Sequence, residues 1–282
     1  MTRAILLPDR AFAGVPAGST PSRAPIVVGV AKGGSEAAVR AGAAEAHRSG
    51  RPLELVHVAP DEGQWPAQLG RDSLRVATDR ARGLGGPALE VLARLHHGSL
   101  LPSLVEAAAP GALLVVERGR ASDRRRREAS TTLALADACD VPVLVVPAEW
   151  LGDGRRVVTL GLDSSPSDTH PMLVAITRTR LLGGVLRVVV AAGEDPAATR
   201  EAVELRLAEL GGDACDVAVE LVDGDVGAAL RHAADSSDLI VLGRHPADPS
   251  GAGRLSAATR HVLRDATCPV LVTTPPVVRQ PT

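Results

Sequence analysis

Apolar residues fall along this chain in short, β-branched blocks separated by longer alanine-rich stretches of helical period. Ile26–Val30, Leu53–Val58, Ala88–Leu95, Leu113–Val116 and Val143–Val146 are runs of strand length. Short β-branched runs between alanine-rich segments suit buried strands of a parallel sheet alternating with helices. Helical patterns lie between them. Glu36–Arg48 is rich in alanine, and residues 67–82 carry Leu74, Ala77 and Ala81 at i, i+3, i+7. Leu100–Ala108 is a short helix, and a charged loop and helix precede Val143. Ser35 reads as the N-cap of the first helix, its hydroxyl accepting from amides one turn in.

The order then repeats. Val157–Leu162, Leu186–Val190, Val217–Val222, Leu239–Leu242 and Val270–Thr273 are the strands of the second half. Asp195-Pro196 starts a helix, because proline at the first helical position gives up an amide that has no partner there. Val203, Leu207 and Leu210 form its apolar stripe, and Leu255, Ala258 and Val262 mark the last helix.

The two halves also match in wording. Pro25–Val30 returns as Arg156–Leu162, Ala112–Val116 as Asp238–Leu242, and Val141–Val146 as Cys268–Thr273, at nearly constant separations of 132, 126 and 127 residues. A period this long is a duplicated domain and not a solenoid unit of roughly 20–50 residues. The expected organisation is an extension over 1–24, a first domain over 25–148 and a second over 149–282. Each domain reads β-α-β-α-β-α-β-α-β, which right-handed crossovers turn into a doubly wound, five-stranded, mostly parallel α/β sheet. Ligands of such sheets sit beyond the carboxyl ends of the strands, where strand order reverses. The residues following strands one and four of each half are therefore the candidates for chemistry.

Composition narrows the class. Aromatics make up 1% of the chain while hydrophobic residues make up 45%, so Val, Leu, Ile and Ala must fill the core. A net charge of −2 provides no field for nucleic acid or an anionic membrane. Cys139, Cys215 and Cys268 show no ligand or CxxC spacing, which suits a reducing cytoplasm and not a disulfide framework. No run reaches the roughly 20 apolar residues of a membrane span. Met1–Ala24 lacks the apolar core, about 7–15 residues, of a signal peptide. The expectation is a soluble, cytoplasmic protein.

Certain matches have a family pattern. Gly161-Leu162-Asp163-Ser164-Ser165 closes a first strand, Leu55-Val56-His57-Val58 a second, and Asp238–Gly243 is a fourth strand ending in glycine. Cys268-Pro269-Val270-Leu271-Val272 is a late strand. Taken in order and in both halves, these segments resemble the universal stress protein family over about Pro25–Thr274. The resemblance implies a Rossmann-like, adenine-nucleotide-hydrolase-like fold and a role in stress adaptation by binding or regulation, without catalysis. It also implies an internal pseudo-dimer of the halves through Val143–Val146 and Val270–Thr273, protein partners, and room for a further homodimer. Some members bind ATP through Gly-x2-Gly-x9-Gly-Ser/Thr after strand four, with an Asp after strand one near the ribose. Glycine lets backbone approach phosphate, and the last pair opens a helix whose free amides face the anion.

Measured against that pattern, the second half keeps Asp163 and Gly243. Pro246 takes the second glycine place, Ser256 the third and Ala257 the hydroxyl place. Proline has no amide to give, although Ser256 still offers a hydroxyl and Gly251 and Gly253 loosen the loop. Pro171 falls early in the expected helix, which implies a longer loop and a displaced Asp163. The first half departs further, with Ala31 for the Asp, Glu117 and Arg120 for the first two glycines, and Ala129-Ser130 for Gly-Ser. Ser130 is the hydroxyl retained at its place, while the Glu117 carboxylate would repel phosphate. ATP is thus expected in the second half alone, if anywhere.

Other clusters read as structural. Arg124–Arg127 could form an anion fork, but the flanking Asp123 and Glu128 make it a solvated surface run. His57, His96-His97 and His245 have no ligand spacing for metal. Asp163 is either a ligand contact or a helix cap. Two competing readings remain: an interaction scaffold without nucleotide, and a nucleotide hydrolase or transferase, for which no nucleophile–base arrangement is visible.

Overall fold

The computed structural model describes residues 24–60, 64–86, 88–119, 126–152, 154–162, 169–244 and 255–274. They fall into two compact units, one ending at Leu151 and the other beginning at Gly152.

In the first unit the chain runs β1 (Ile26–Gly29), α1 (Glu36–Ser49), β2 (Leu53–Ala59), α2 (Gln64–Gly85) and β3 (Val91–His97). It continues through α3 (Leu100–Ala108), β4 (Leu113–Arg118), α4 (Arg126–Ala138) and β5 (Val143–Pro147). The strands lie in the order β3-β2-β1-β4-β5. All four pairings are parallel, with Ile26 between Leu53 and Leu113. The second unit has β6 (Val157–Leu162), α5 (Thr169–Leu182), β7 (Val185–Ala191), α6 (Pro196–Glu209) and β8 (Asp216–Val222). Then come α7 (Val226–Ala234), β9 (Leu239–Leu242), α8 (Ala257–Asp265) and β10 (Val270–Val272). Its order is β8-β7-β6-β9-β10, again parallel throughout. The doubly wound α/β architecture expected from the hydrophobic pattern is the one observed.

Burial explains why the pattern was readable. Val27, Val28, Leu113, Leu114, Val158 and Ile240 are fully buried in the central strands. The outer strands β3 and β8 are exposed or half-buried along their whole length. There the sequence reading slipped: β3 was expected over Ala88–Leu95 and lies at Val91–His97. Backbone accounting supplies the reason. β2 continues to Ala59, so Val58 and Ala59 draw His96 and His97 into the ladder, and Gly98 N donates to Ala59 O.

Helix starts are set by side chains. Asp195 accepts from Ala197 N at 3.0 Å and Ala198 N at 3.1 Å, with Pro196 following, as the sequence suggested. Asp225 does the same for α7 through Ala228 N. Pro171 sits in the first turn of α5, where helix amides have no intrahelical partner to lose.

Comparing the units residue by residue uncovers a linked difference. Asp238 N donates to Val157 O, and Ala112 N to Pro25 O, so these pairs occupy equivalent places. In the second unit the buried Asp238 carboxylate accepts from Val157 N at 3.1 Å and Arg155 N at 3.2 Å. In the first unit Pro25 has no amide to satisfy, and the acid is replaced by Ala112. The donor and its acceptor are present together or absent together.

Candidate functional site

Strand order reverses between β1 and β4 in the first unit and between β6 and β9 in the second, so the crevices open at the carboxyl ends of those strands. In the first unit the loop Ala31–Ser35 joins β1 to α1. Gly33 and Gly34 have φ of 91° and 96°, and Ser35 has φ of 45°. That left-handed turn carries the Ser35 hydroxyl away from the helix, and it accepts from Ala31 N at 2.9 Å. Ser35 makes no side-chain cap to α1. Ser35 is the N-cap by position, its carbonyl accepting from Val39 N at 2.9 Å, but the hydroxyl cap expected from the sequence is not formed. A strained turn holds the serine in a geometry from which its hydroxyl serves the loop.

The cap comes instead from β4. Glu117 Oε2 accepts from Ala37 N at 2.8 Å and from Ala38 N at 3.3 Å. These amides belong to the first turn, which has no intrahelical acceptor, and the positive end of the helix favours a carboxylate there. Burial pushes the Glu117 carboxyl above its ordinary value. The two amide bonds pull it back, Glu36 raises it and Arg80 lowers it. Glu36 and Arg80 pair with each other at 3.1 Å. Glu117 was expected to repel an anion at this crevice. In the structure its own Oε2 already occupies the α1 amides.

Neighbouring groups are structural. His57 Nδ1 lies 2.7 Å from Val30 O, and because a carbonyl only accepts, Nδ1 carries the proton. Gly33 N donates to Ser73 Oγ of α2 at 3.4 Å. Ser130 is the fifth residue of α4, which begins at Arg126, so it does not open that helix. Arg126 and Arg127 begin α4, while Arg120, Arg124 and Arg125 lie outside the described residues.

In the second unit β6 ends at Leu162, and Asp163 lies outside the described residues, as do His245, Pro246, Gly251 and Gly253. Gly243 follows β9 directly, at the place Glu117 holds in the first unit. Ser256 is the N-cap of α8. Its Oγ accepts from Thr259 N at 3.0 Å and lies 2.9 Å from Thr259 Oγ1. The hydroxyl the sequence offered to a ligand is thus turned into its own helix.

The sequence reading passed over one pair. Arg118, the last residue of β4, and Arg244, just past β9, stand at matching positions at 9% and 2% exposure. Aligning the halves one residue further would have found them. Among the described residues no group of three or more His, Cys, Asp or Glu could hold a metal ion. No described helix is long and apolar enough to cross a membrane.

The model of the universal stress protein family matches residues 156–274. In the solved structures, the chain is similar to a universal stress protein from Archaeoglobus fulgidus DSM 4304. The TM-score is 0.70 at 12% identity, covering 91% of this chain and 99% of that one. It is also similar to a protein of unknown function from Pseudomonas aeruginosa PAO1, with a TM-score of 0.63 at 20% identity, covering 91% and 95%. Identities this low speak for the fold. No curated protein matches the chain in sequence.

Proposed function

We propose, on the premise that the chain belongs through residues 156–274 to the universal stress protein family, that it is a tandem member acting in the cytoplasm by binding and regulation. It catalyses no reaction in this reading, and ATP has room in the second half only. One contrast carries the proposal. At the reversal point of the first unit, Glu117 fills the amide pair of Ala37 and Ala38. At the corresponding place in the second unit stands Gly243, which has no side chain to put there. A carboxylate fixed on those amides opposes a phosphate by charge and by occupancy, so ATP does not fit the first unit.

A second reading is favoured by Ser256. With its hydroxyl spent on α8 and proline at the second glycine place of the family pattern, the second half has fewer groups left for a triphosphate, and the protein would then act as an interaction scaffold. Titration of the purified protein with ATP, with and without magnesium, separates the two. Saturable binding weakened by Asp163→Ala supports the nucleotide reading. Its absence supports the scaffold, and ATP turnover would instead mean an enzyme.

A further inference from the structure

We infer that Arg200 guards the free edge of β8: it occupies the carbonyl that a second copy of this chain would need in order to pair its own β8 there. The contact lies wholly in the second unit and stands whether or not ATP binds.

β8 is the last strand of its order and pairs with β7 on one side. Backbone direction tells which of its groups are left over. Ala192 N donates to Val222 O, so Val222, Glu220 and Ala218 turn their amides and carbonyls to β7. Val217, Val219 and Leu221, alternating with them, turn theirs outward. Such a row is a template for another strand. It is also self-complementary. With a twofold axis at Val219, an antiparallel second copy sets Val219 against the same residue of the copy and Val217 against Leu221. Each pair can then exchange both backbone bonds, and Glu220 faces Ala218, so no like charges are opposed. In the structure the middle of that row is taken. Arg200 of α6 reaches the edge, and its Nη1 donates to Val219 O at 2.9 Å. Asp195 fixes the head of α6, and Glu204, one turn after Arg200, lies 3.7 Å from the same nitrogen. A cation laid on an edge blocks pairing twice, because it uses the acceptor and because a second copy would have to bury it. The first unit supplies a contrast. Val91 stands in register with Leu53 and Ile26, as Val217 does with Leu186 and Val158, so Ala93 of β3 occupies the place of Val219. Ala77 and Ala81 of α2 are buried as Val203 and Leu207 of α6 are, which puts Leu74 at the place of Arg200. Alanine is depleted in strands and valine enriched. The guard stands on the edge with the stronger strand former.

Arg200→Ala in the full chain tests this, beside the double variant Arg200→Ala/Val219→Pro. The proline removes an outward amide that β7 does not use, so it spoils the edge and leaves the ladder intact. Sedimentation velocity over a range of protein concentrations gives the mass, and amide exchange gives the place. In the parent protein the amides of Val217, Val219 and Leu221 should exchange fast while those of Ala218 and Glu220 are protected. Arg200→Ala should associate to twice the parent mass, with an affinity for itself about tenfold or more above the parent's. Its Val219 and Leu221 amides should become protected as the concentration rises. The double variant should return to the parent mass. An Arg200→Ala protein that keeps the parent mass at every concentration, with the outward amides still fast, would overturn the inference. So would association that leaves those amides fast, or that survives Val219→Pro, since it would then use another surface.

Discussion

Replacing Asp238 with alanine removes the acceptor that two backbone amides share at the start of β6. The carboxylate is 4% exposed, and its oxygens lie 3.2 Å from Arg155 N and 3.1 Å from Val157 N. An amide stripped of its partner in a buried setting costs about 1–3 kcal/mol; here Arg155 is exposed and Val157 half-buried, so water replaces part of the loss and the two together cost about 1–3 kcal/mol. Asp238→Asn keeps one carbonyl oxygen and should lose about half of that. With a urea dependence of about 2 kcal/mol per M for a domain of this size, the alanine variant should unfold about 0.5–1.5 M earlier. Both tryptophans, Trp65 and Trp150, precede the second unit, so fluorescence does not report on it. Far-UV circular dichroism together with amide exchange of β6 is the suitable assay. The reasoning also predicts that the first unit needs no such acid, because Pro25 brings no amide to the equivalent place. An alanine variant whose midpoint stays within about 0.3 M of the parent at unchanged slope would show that these amides find other partners, and would refute the argument.

Two further outcomes are expected. Gly184→Ala should be severely destabilising, because a Cβ there would lie 1.8 Å from the carbonyl oxygen of Arg156. Backbone must move to admit it, at a cost of about 1–3 kcal/mol or more, measurable by thermal unfolding. Glu117 should give the first unit a pH-dependent stability. Its carboxyl is raised above the usual value, chiefly by burial, so the native state holds the proton more tightly than the unfolded chain. The contribution of Glu117 to stability should therefore be greatest in acid below the ordinary glutamate range, fall as pH rises through the raised native value, and stay lower above it. Urea midpoints against pH, followed by tryptophan fluorescence, should show this slope in the parent and lose it in Glu117→Gln.

Much of the fold was legible because the central strands are buried on both faces and appear as short runs dominated by Val, Leu and Ile. Val157–Leu162 and Leu239–Leu242 were read with their observed bounds. Reading failed where long-range contacts override local preference. Ser35 has the residue type of an N-cap, but a turn built on Gly33 and Gly34 points its hydroxyl elsewhere, and a glutamate from β4 takes its role. His96 and His97 looked like turn residues before Gly98, and the length of β2 made them strand. Asp238 was matched to Ala112 in the repeat, and only the bonds beside Val157 and Pro25 explain why an acid stands at one place and not at the other. At the candidate site, the spacing correctly set Glu117 against Gly243. It could not show that the glutamate is a ligand and not just an obstacle, because that depends on where α1 begins in space.

The most direct test of the account is the stoichiometry and location of ATP binding in the intact chain, by calorimetry and amide spectra together. The account predicts one ATP per chain, moving signals beside Gly243 and leaving those of Ala37 and Ala38 unchanged. Two ATP per chain, or movement of the Ala37 and Ala38 amides in the parent protein, would contradict it.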